Sequence, residues 1–189
     1  MNIAQREPMT LEAFLDWERR QDLRYEFDGF GPVAMNGGTI EHSVIATNLV
    51  RALEDRLHGT SCRAFRGDLK VIVDGRVRYP DAMVTCSPIP RRTDIIPAPV
   101  VVFEVISPST AVTDRVAKNS EYRNTDSIRR YVMLEQLRQA ATVFASDGTD
   151  WVGHLITGDV DLELPEIGIS IPFSAIYATI DFSDDEEDD

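Results

Sequence analysis

A chain of 189 residues, 43% hydrophobic and 27% charged, suits one globular domain with enough apolar material for a sizeable core. A net charge of −13 disfavours tight non-specific capture of nucleic acid. No stretch approaches the ~18 apolar residues that a membrane helix needs. Met1–Glu7 has no apolar signal region, which makes the cytoplasm the default location. Cys62 and Cys86 lie well apart without metal-like spacing, which speaks against a disulfide framework. The charge is uneven: the six acids Asp184 to Asp189 account for −6 and leave −7 for the rest. The expected division is a single domain over residues 1–182 and a disordered acidic tail over 183–189. A competing reading has the tail mimic a polyanion and cover a basic groove.

In chain order, Thr10 is positioned to cap a helix over Leu11 to Gln21, with Leu11, Phe14 and Leu15 on its apolar face. Tyr25–Phe27 and Phe30–Met35 flank Asp28-Gly29, a hairpin signal, and Asn36-Gly37-Gly38 closes it. Thr39 to His58 reads as the longest helix, with Ile45, Leu49, Leu53 and Leu57 at i+4 and Gly59 as its stop. Cys62–Arg66 reads as a strand. Leu69–Val73 and Val77–Cys86 form a second hairpin across Asp74-Gly75, placing Tyr79-Pro80-Asp81 within a strand. A proline-rich loop over Ser87–Pro99 leads to a buried strand, Val100–Ile106. A helix capped by Thr113 runs to about Asn124, and Arg130–Leu134 is the next strand. Ala141–Ala145 pairs with Trp151–Ile156 across Asp147-Gly148. A short strand and a small helix near Pro172–Tyr177 complete a mixed α/β fold, that is, an α+β chain with a mixed sheet.

The chemistry begins with Glu104, a single acid in the apolar run Val100-Val101-Val102-Phe103-Glu104-Val105-Ile106. An ionised carboxylate in a buried strand is costly unless paired or bound to a metal. Asp81 on a neighbouring strand makes a pair of carboxylates able to share Mg²⁺ or Mn²⁺, hard cations that prefer oxygen ligands. A metal so held activates water and stabilises charge on a phosphodiester. The helix after Glu104 presents Asp114, Lys118 and Tyr122 at i+4, and Lys118 is the candidate cation for the developing charge. Read from the helix alone, Asp114 and Lys118 form an exposed pair worth a few tenths of a kcal/mol, roughly. His42 at a helix start is a general base, a phosphate contact or a structural hydrogen-bonder. The pairs Arg91-Arg92 and Arg129-Arg130 are candidate phosphate contacts.

The ordered set Tyr25-Glu26-Phe27-Asp28-Gly29, His42, Pro80-Asp81, Glu104-Val105-Ile106-Ser107-Pro108-Ser109-Thr110 and Asp114-Arg115 with Lys118 and Tyr122 resembles the Uma2 family. The similarity spans roughly residues 8 to 145. The resemblance implies a PD-(D/E)XK restriction-endonuclease-like core and Mg²⁺-dependent endonuclease activity. It matches Asp81 and Glu104 to the two motif acids and assigns the motif's ammonium to Lys118, because Ile106 stands where many such nucleases have Lys. Glu26 matches an acid that binds metal or holds Lys118. The carbonyl of Val105 is a further candidate ligand. His42, Arg115 and Tyr122 are candidate substrate contacts. The chain departs from the family pattern at Arg130-Tyr131-Val132-Met133-Leu134-Glu135, where a Tyr-Trp strand is common. DNA is the expected substrate and a homodimer the expected assembly. A non-catalytic module that binds nucleic acid or protein, and an RNA-directed nuclease, stand as alternatives.

Overall fold

The computed structural model of the protein describes residues 8–35, 37–106 and 113–182, with the backbone alone at 113–115. The expected tail from Ser183 onward lies outside the described residues, as do Ser107 to Thr110.

Helix α1 (Leu11–Glu18) starts at Thr10, whose hydroxyl accepts the Ala13 N–H. It ends three residues before the expected Gln21. Strands β1 (Tyr25–Phe27) and β2 (Pro32–Ala34) form the first hairpin. In its turn the Asp28 carboxylate accepts the Phe30 and Gly31 N–H groups, so only Gly29 needs a positive φ. Helix α2 (Ile40–Leu57) buries the Ile45, Leu49, Leu53 and Leu57 stripe. Strand β3 (Arg63–Arg66) follows, then β4 (Val71–Val73) and β5 (Arg76–Arg78) across the two-residue turn Asp74-Gly75. Both turn residues have positive φ, as the Asp-Gly signal requires.

The expected strand over Val77–Cys86 is two strands in two sheets. β5 belongs to a four-stranded sheet of order β2-β1-β5-β4, whereas β6 (Ala82–Thr85) belongs to a six-stranded one. Tyr79, Pro80 and Asp81 are the crossing between them, not part of a strand. Pro80 has no N–H to give a ladder, which ends the first strand there.

The six-stranded sheet runs β10-β9-β8-β7-β6-β3, with β7 (Pro99–Ile106), β8 (Arg130–Glu135), β9 (Ala140–Ser146) and β10 (Trp151–Thr157). Its β7–β8 pair is parallel and all other pairs are antiparallel. The β7-to-β8 crossover carries a π-type segment, Thr113–Lys118, and helix α3 (Asn119–Arg123), in place of one continuous helix to Asn124. Beyond β10 come β11 (Asp161–Leu164) and β12 (Ile169–Pro172), two paired strands where one was expected, and helix α4 (Phe173–Ile176).

Side chains of β7 alternate between two cores. Val101, Phe103 and Val105 pack with α2, α4, β11 and β12. Val102 and Ile106 join Val71, Val73, Met83, Tyr122 and Tyr131 on the other face. A third cluster, Phe14, Phe27, Val77 and Tyr79, fixes α1 to the smaller sheet.

The two cysteines are bonded to each other, which corrects the expectation from their separation in sequence. β3 pairs with β6 through Arg63 and Thr85, and one further antiparallel step sets Cys62 against Cys86. Among the described residues no helix is long and apolar enough to cross a membrane.

Candidate active site

Glu104 sits in the middle of the sheet and is 4% exposed. Its cost is offset by two donors from the crossover. Lys118 Nζ lies 2.9 Å, and the Tyr122 hydroxyl 2.8 Å, from Glu104 Oε1. The four-residue spacing of Lys118 and Tyr122 lets both reach one oxygen. Burial, and next the Glu104 carboxylate, push the Tyr122 phenol well above its ordinary ionisation range. Its hydroxyl therefore stays a donor at neutral pH. Lys118 is itself buried, at 8% exposed, and 3.6 Å from Glu26 Oε1. The expected exposed helical lysine is thus corrected: the crossover lays it against the sheet.

Asp81 reaches the same place from the end of β6. The β6–β7 register pairs Ala82 with Phe103, so the backbone ladder stops one residue short of Glu104. Asp81 extends it with a side chain: the Val105 N–H donates to Asp81 Oδ2 at 2.7 Å. That bond ties Asp81 to the residue next to Glu104. His42, in the first turn of α2, places Nε2 3.1 Å from the same oxygen. Unlike Glu104, both partners keep about a fifth of their side-chain surface, at 22% for His42 and 20% for Asp81. They line a cleft of about 440 Å³.

Behind Lys118 stands a buried ionic network that the sequence reading missed. Arg78 donates to both oxygens of Glu121 at 2.6 Å each, and to Glu26 Oε2 at 3.0 Å. The Tyr79 N–H adds a bond to Glu26 Oε1 at 3.3 Å. Arg78 thus joins the smaller sheet to α3, the helix that carries Tyr122. These carboxylates drive the Arg78 ionisation further above its already high value, against the opposing effect of burial. A second buried cluster holds α1: Lys70 Nζ and the Tyr79 hydroxyl each meet Glu18 at 2.6 Å. A usable signal existed, since Glu26 lies between Tyr25 and Phe27. An acid in an apolar strand calls for a cation, and Arg78 was in reach once β1 paired with β5.

The structure gathers Asp81, Glu104, Val105, Lys118, Tyr122, Glu26 and His42. The side chains of Asp114 and Arg115 lie outside the described residues. Arg130 is not a surface phosphate contact: it is 7% exposed and makes a two-point pair with Glu166 at 2.8 and 2.9 Å. Its guanidinium is thus spent on a carboxylate within the fold. Among the described residues, no three or more His, Cys, Asp or Glu are grouped tightly enough to hold a metal unaided. The carboxylates of Asp81 and Glu104 are oxygen donors, the class that Mg²⁺ prefers, and Mg²⁺ is usually held by one or two carboxylates with water and substrate oxygens completing its shell.

Comparison with known proteins gives matches to a family model, to a relative and to a solved structure. The model of the Uma2 family, described as "Putative restriction endonuclease", matches residues 11–174. An uncharacterized protein of Synechocystis sp., slr1290, is 33% identical over 178 residues, covering 92% of this chain and 94% of its own. A solved structure from Anabaena variabilis, titled as that of a putative nuclease belonging to DUF820, superposes with a TM-score of 0.72 at 18% identity. It covers 90% of this chain and 98% of its own, and the likeness establishes a shared fold.

Proposed function

The chain belongs to the Uma2 family, and from that premise we propose that it is a Mg²⁺- or Mn²⁺-dependent endonuclease that hydrolyses phosphodiester bonds in DNA. The observation that carries this reading is the convergence on β7. Asp81 bonds the Val105 N–H at 2.7 Å, and Lys118 bonds Glu104 at 2.9 Å. Two acids and a cation far apart in the chain thus meet at neighbouring residues of one strand.

In this proposal Asp81, Glu104 and the Val105 carbonyl hold the ion. A divalent cation there supplies Lewis-acid polarisation of the phosphodiester and a more acidic water. The protein's own part is positional and electrostatic. Tyr122 fixes the Glu104 carboxylate, and the Val105 N–H fixes that of Asp81. Lys118 orients the attacking water and offsets the negative charge that grows on the phosphate. Glu26, held by Arg78, keeps the Lys118 ammonium directed to this spot. We treat residues 1–182 as one nuclease unit, cytoplasmic, working as a two-fold dimer so that both strands of a duplex are cut. Sedimentation equilibrium tests the dimer, and the mass of a single chain at micromolar concentration would refute it.

One observation favours a non-catalytic module of the same fold: Glu104 Oε1 already has two donors. Titration of Mn²⁺ by calorimetry separates the readings. The active protein binds the ion, and Asp81→Ala abolishes both binding and cleavage of plasmid DNA. Cleavage that survives Asp81→Ala removes the residue from the mechanism. Metal binding without cleavage of DNA, followed by cleavage of an RNA oligonucleotide, transfers the reading to RNA.

A further inference from the structure

The role given to Asp81 uses only one corner of the cleft that it lines. Another part of the wall is the exposed face of α2, where Ser43 and Thr47 lie one turn apart. That is ~6 Å along the axis. Thr39 is not available there, since its hydroxyl donates to Gln136 and accepts the His42 N–H. Arg24 and Arg66 also line the cleft. Arg78 and Arg130 are fully engaged by carboxylates. Arg24 and Arg66, by contrast, make no side-chain hydrogen bond or ion pair among the described residues. Asp68 is the acid of the wall besides Asp81. The cleft therefore offers hydroxyl and guanidinium donors, and among the described residues no Phe, Tyr or Trp lines it.

We propose that this cleft seats the sugar–phosphate backbone of a nucleic-acid strand, with Arg24 and Arg66 as phosphate contacts and Ser43 and Thr47 as hydrogen-bonding partners. Phosphate oxygens are what Arg and Ser/Thr side chains most often bind on nucleic acids. In a chain of net charge −13 the two arginines balance Asp68 and Asp81 of the same wall, so the cleft is locally neutral within an otherwise acidic chain. The position of the seat beside the bond to be cut rests on the nuclease reading. The binding itself does not.

The test is fluorescence anisotropy with a labelled duplex and a labelled single strand, in EDTA over a series of salt concentrations. It compares the full-length wild type with Arg24→Ala/Arg66→Ala, with Ser43→Glu, and with Arg91→Ala/Arg92→Ala, an exposed pair that the structure places outside the cleft lining and that removes the same charge. Thermal melting confirms that each variant is folded. Loss of Arg24 and Arg66 should raise Kd by at least ~10-fold. It should also reduce the slope of log K against log salt by ~1.8 for duplex, or ~1.4 for single strand. Ser43→Glu should weaken binding with a smaller change in slope, and Arg91→Ala/Arg92→Ala should do less than either. Equal losses in the two arginine pairs, or a wild type that binds neither probe, would overturn the proposal. Arginine-dependent binding in a protein that cleaves nothing with Mg²⁺ or Mn²⁺ would sink the nuclease reading and leave this one standing. Cleavage that persists with unchanged affinity in Arg24→Ala/Arg66→Ala would do the reverse.

Discussion

The two carboxylates that meet on β7 live in different surroundings. Glu104 belongs to a closed network in which Lys118, Tyr122, Glu26, Arg78 and Glu121 are bonded to one another beneath the surface. Asp81 belongs to an open cleft, where it shares one oxygen with His42 and the Val105 N–H and still faces solvent. The closed side is costly to disturb, because removing one member strands a charge away from water. The open side is cheap to disturb, because water replaces what is removed. Burial and solvent access are therefore divided between two regions a single peptide apart on β7.

The largest stability loss should follow Arg78→Met, which leaves Glu121 with Arg76 Nε at 3.2 Å and Glu26 with Lys118 Nζ at 3.6 Å. Urea denaturation should give a loss near the upper end of ~3–5 kcal/mol. A loss below ~1 kcal/mol would show that water enters the network and that the contrast between the regions is false.

Lys118→Ala should follow at about 3 kcal/mol, far above the few tenths expected of an exposed helical lysine. In the nuclease reading its turnover also falls by ~100-fold or more. Measuring both quantities matters, since a stability loss with unchanged turnover would leave Lys118 structural only. Tyr122→Phe keeps the ring and removes one charge-assisted bond, so ~1.5–2 kcal/mol is expected from the same denaturation experiment.

The closed regions also set an alkaline limit. Burial is the largest cause of the raised ionisation of Tyr79, Tyr122 and Tyr177, so each keeps its proton in the folded chain after the unfolded chain has lost it. Their stabilising contribution is complete below the unfolded value of ~10. It declines as pH rises from there toward the folded values. Denaturation midpoints between pH 8 and 11 should fall on the alkaline side, and less steeply in Tyr122→Phe. An unchanged slope in that variant would mean that Tyr122 ionises alike in both states.

The smallest effect belongs to the open region. Arg24→Ala and Arg66→Ala should each move stability by less than ~0.5 kcal/mol, while nucleic-acid affinity falls. A large stability loss in either would place that arginine in the closed category.

Much of this arrangement was legible in the chain. Glu104 announced itself because charge is rare in an apolar strand, and Lys118 and Tyr122 followed from helical spacing. The α2 stripe and the Asp74-Gly75 turn formed as their local patterns require. Arg78 and Glu121 were not legible. In Arg76-Val77-Arg78 the alternation marks an ordinary half-exposed strand, and nothing local distinguishes an arginine that faces water from one that faces Glu121. The Cys62–Cys86 bond was equally hidden, because it depends on which strands pair and not on the spacing of the cysteines.

By itself the sequence determined the local elements: capped helices, Asp-Gly turns, apolar strands, and the acids that such strands must compensate. These depend on residues within a few positions of one another, where propensity and periodicity act. Only the tertiary structure decided the partners. Pro80 ended one strand and sent the next into another sheet, which brought Asp81 to the Val105 N–H. The β1–β5 pairing brought Glu26 to Arg78, and the crossover laid Lys118 on Glu104. A buried charge states that it needs a partner; which one it receives is settled by long-range packing, where no local pattern reaches.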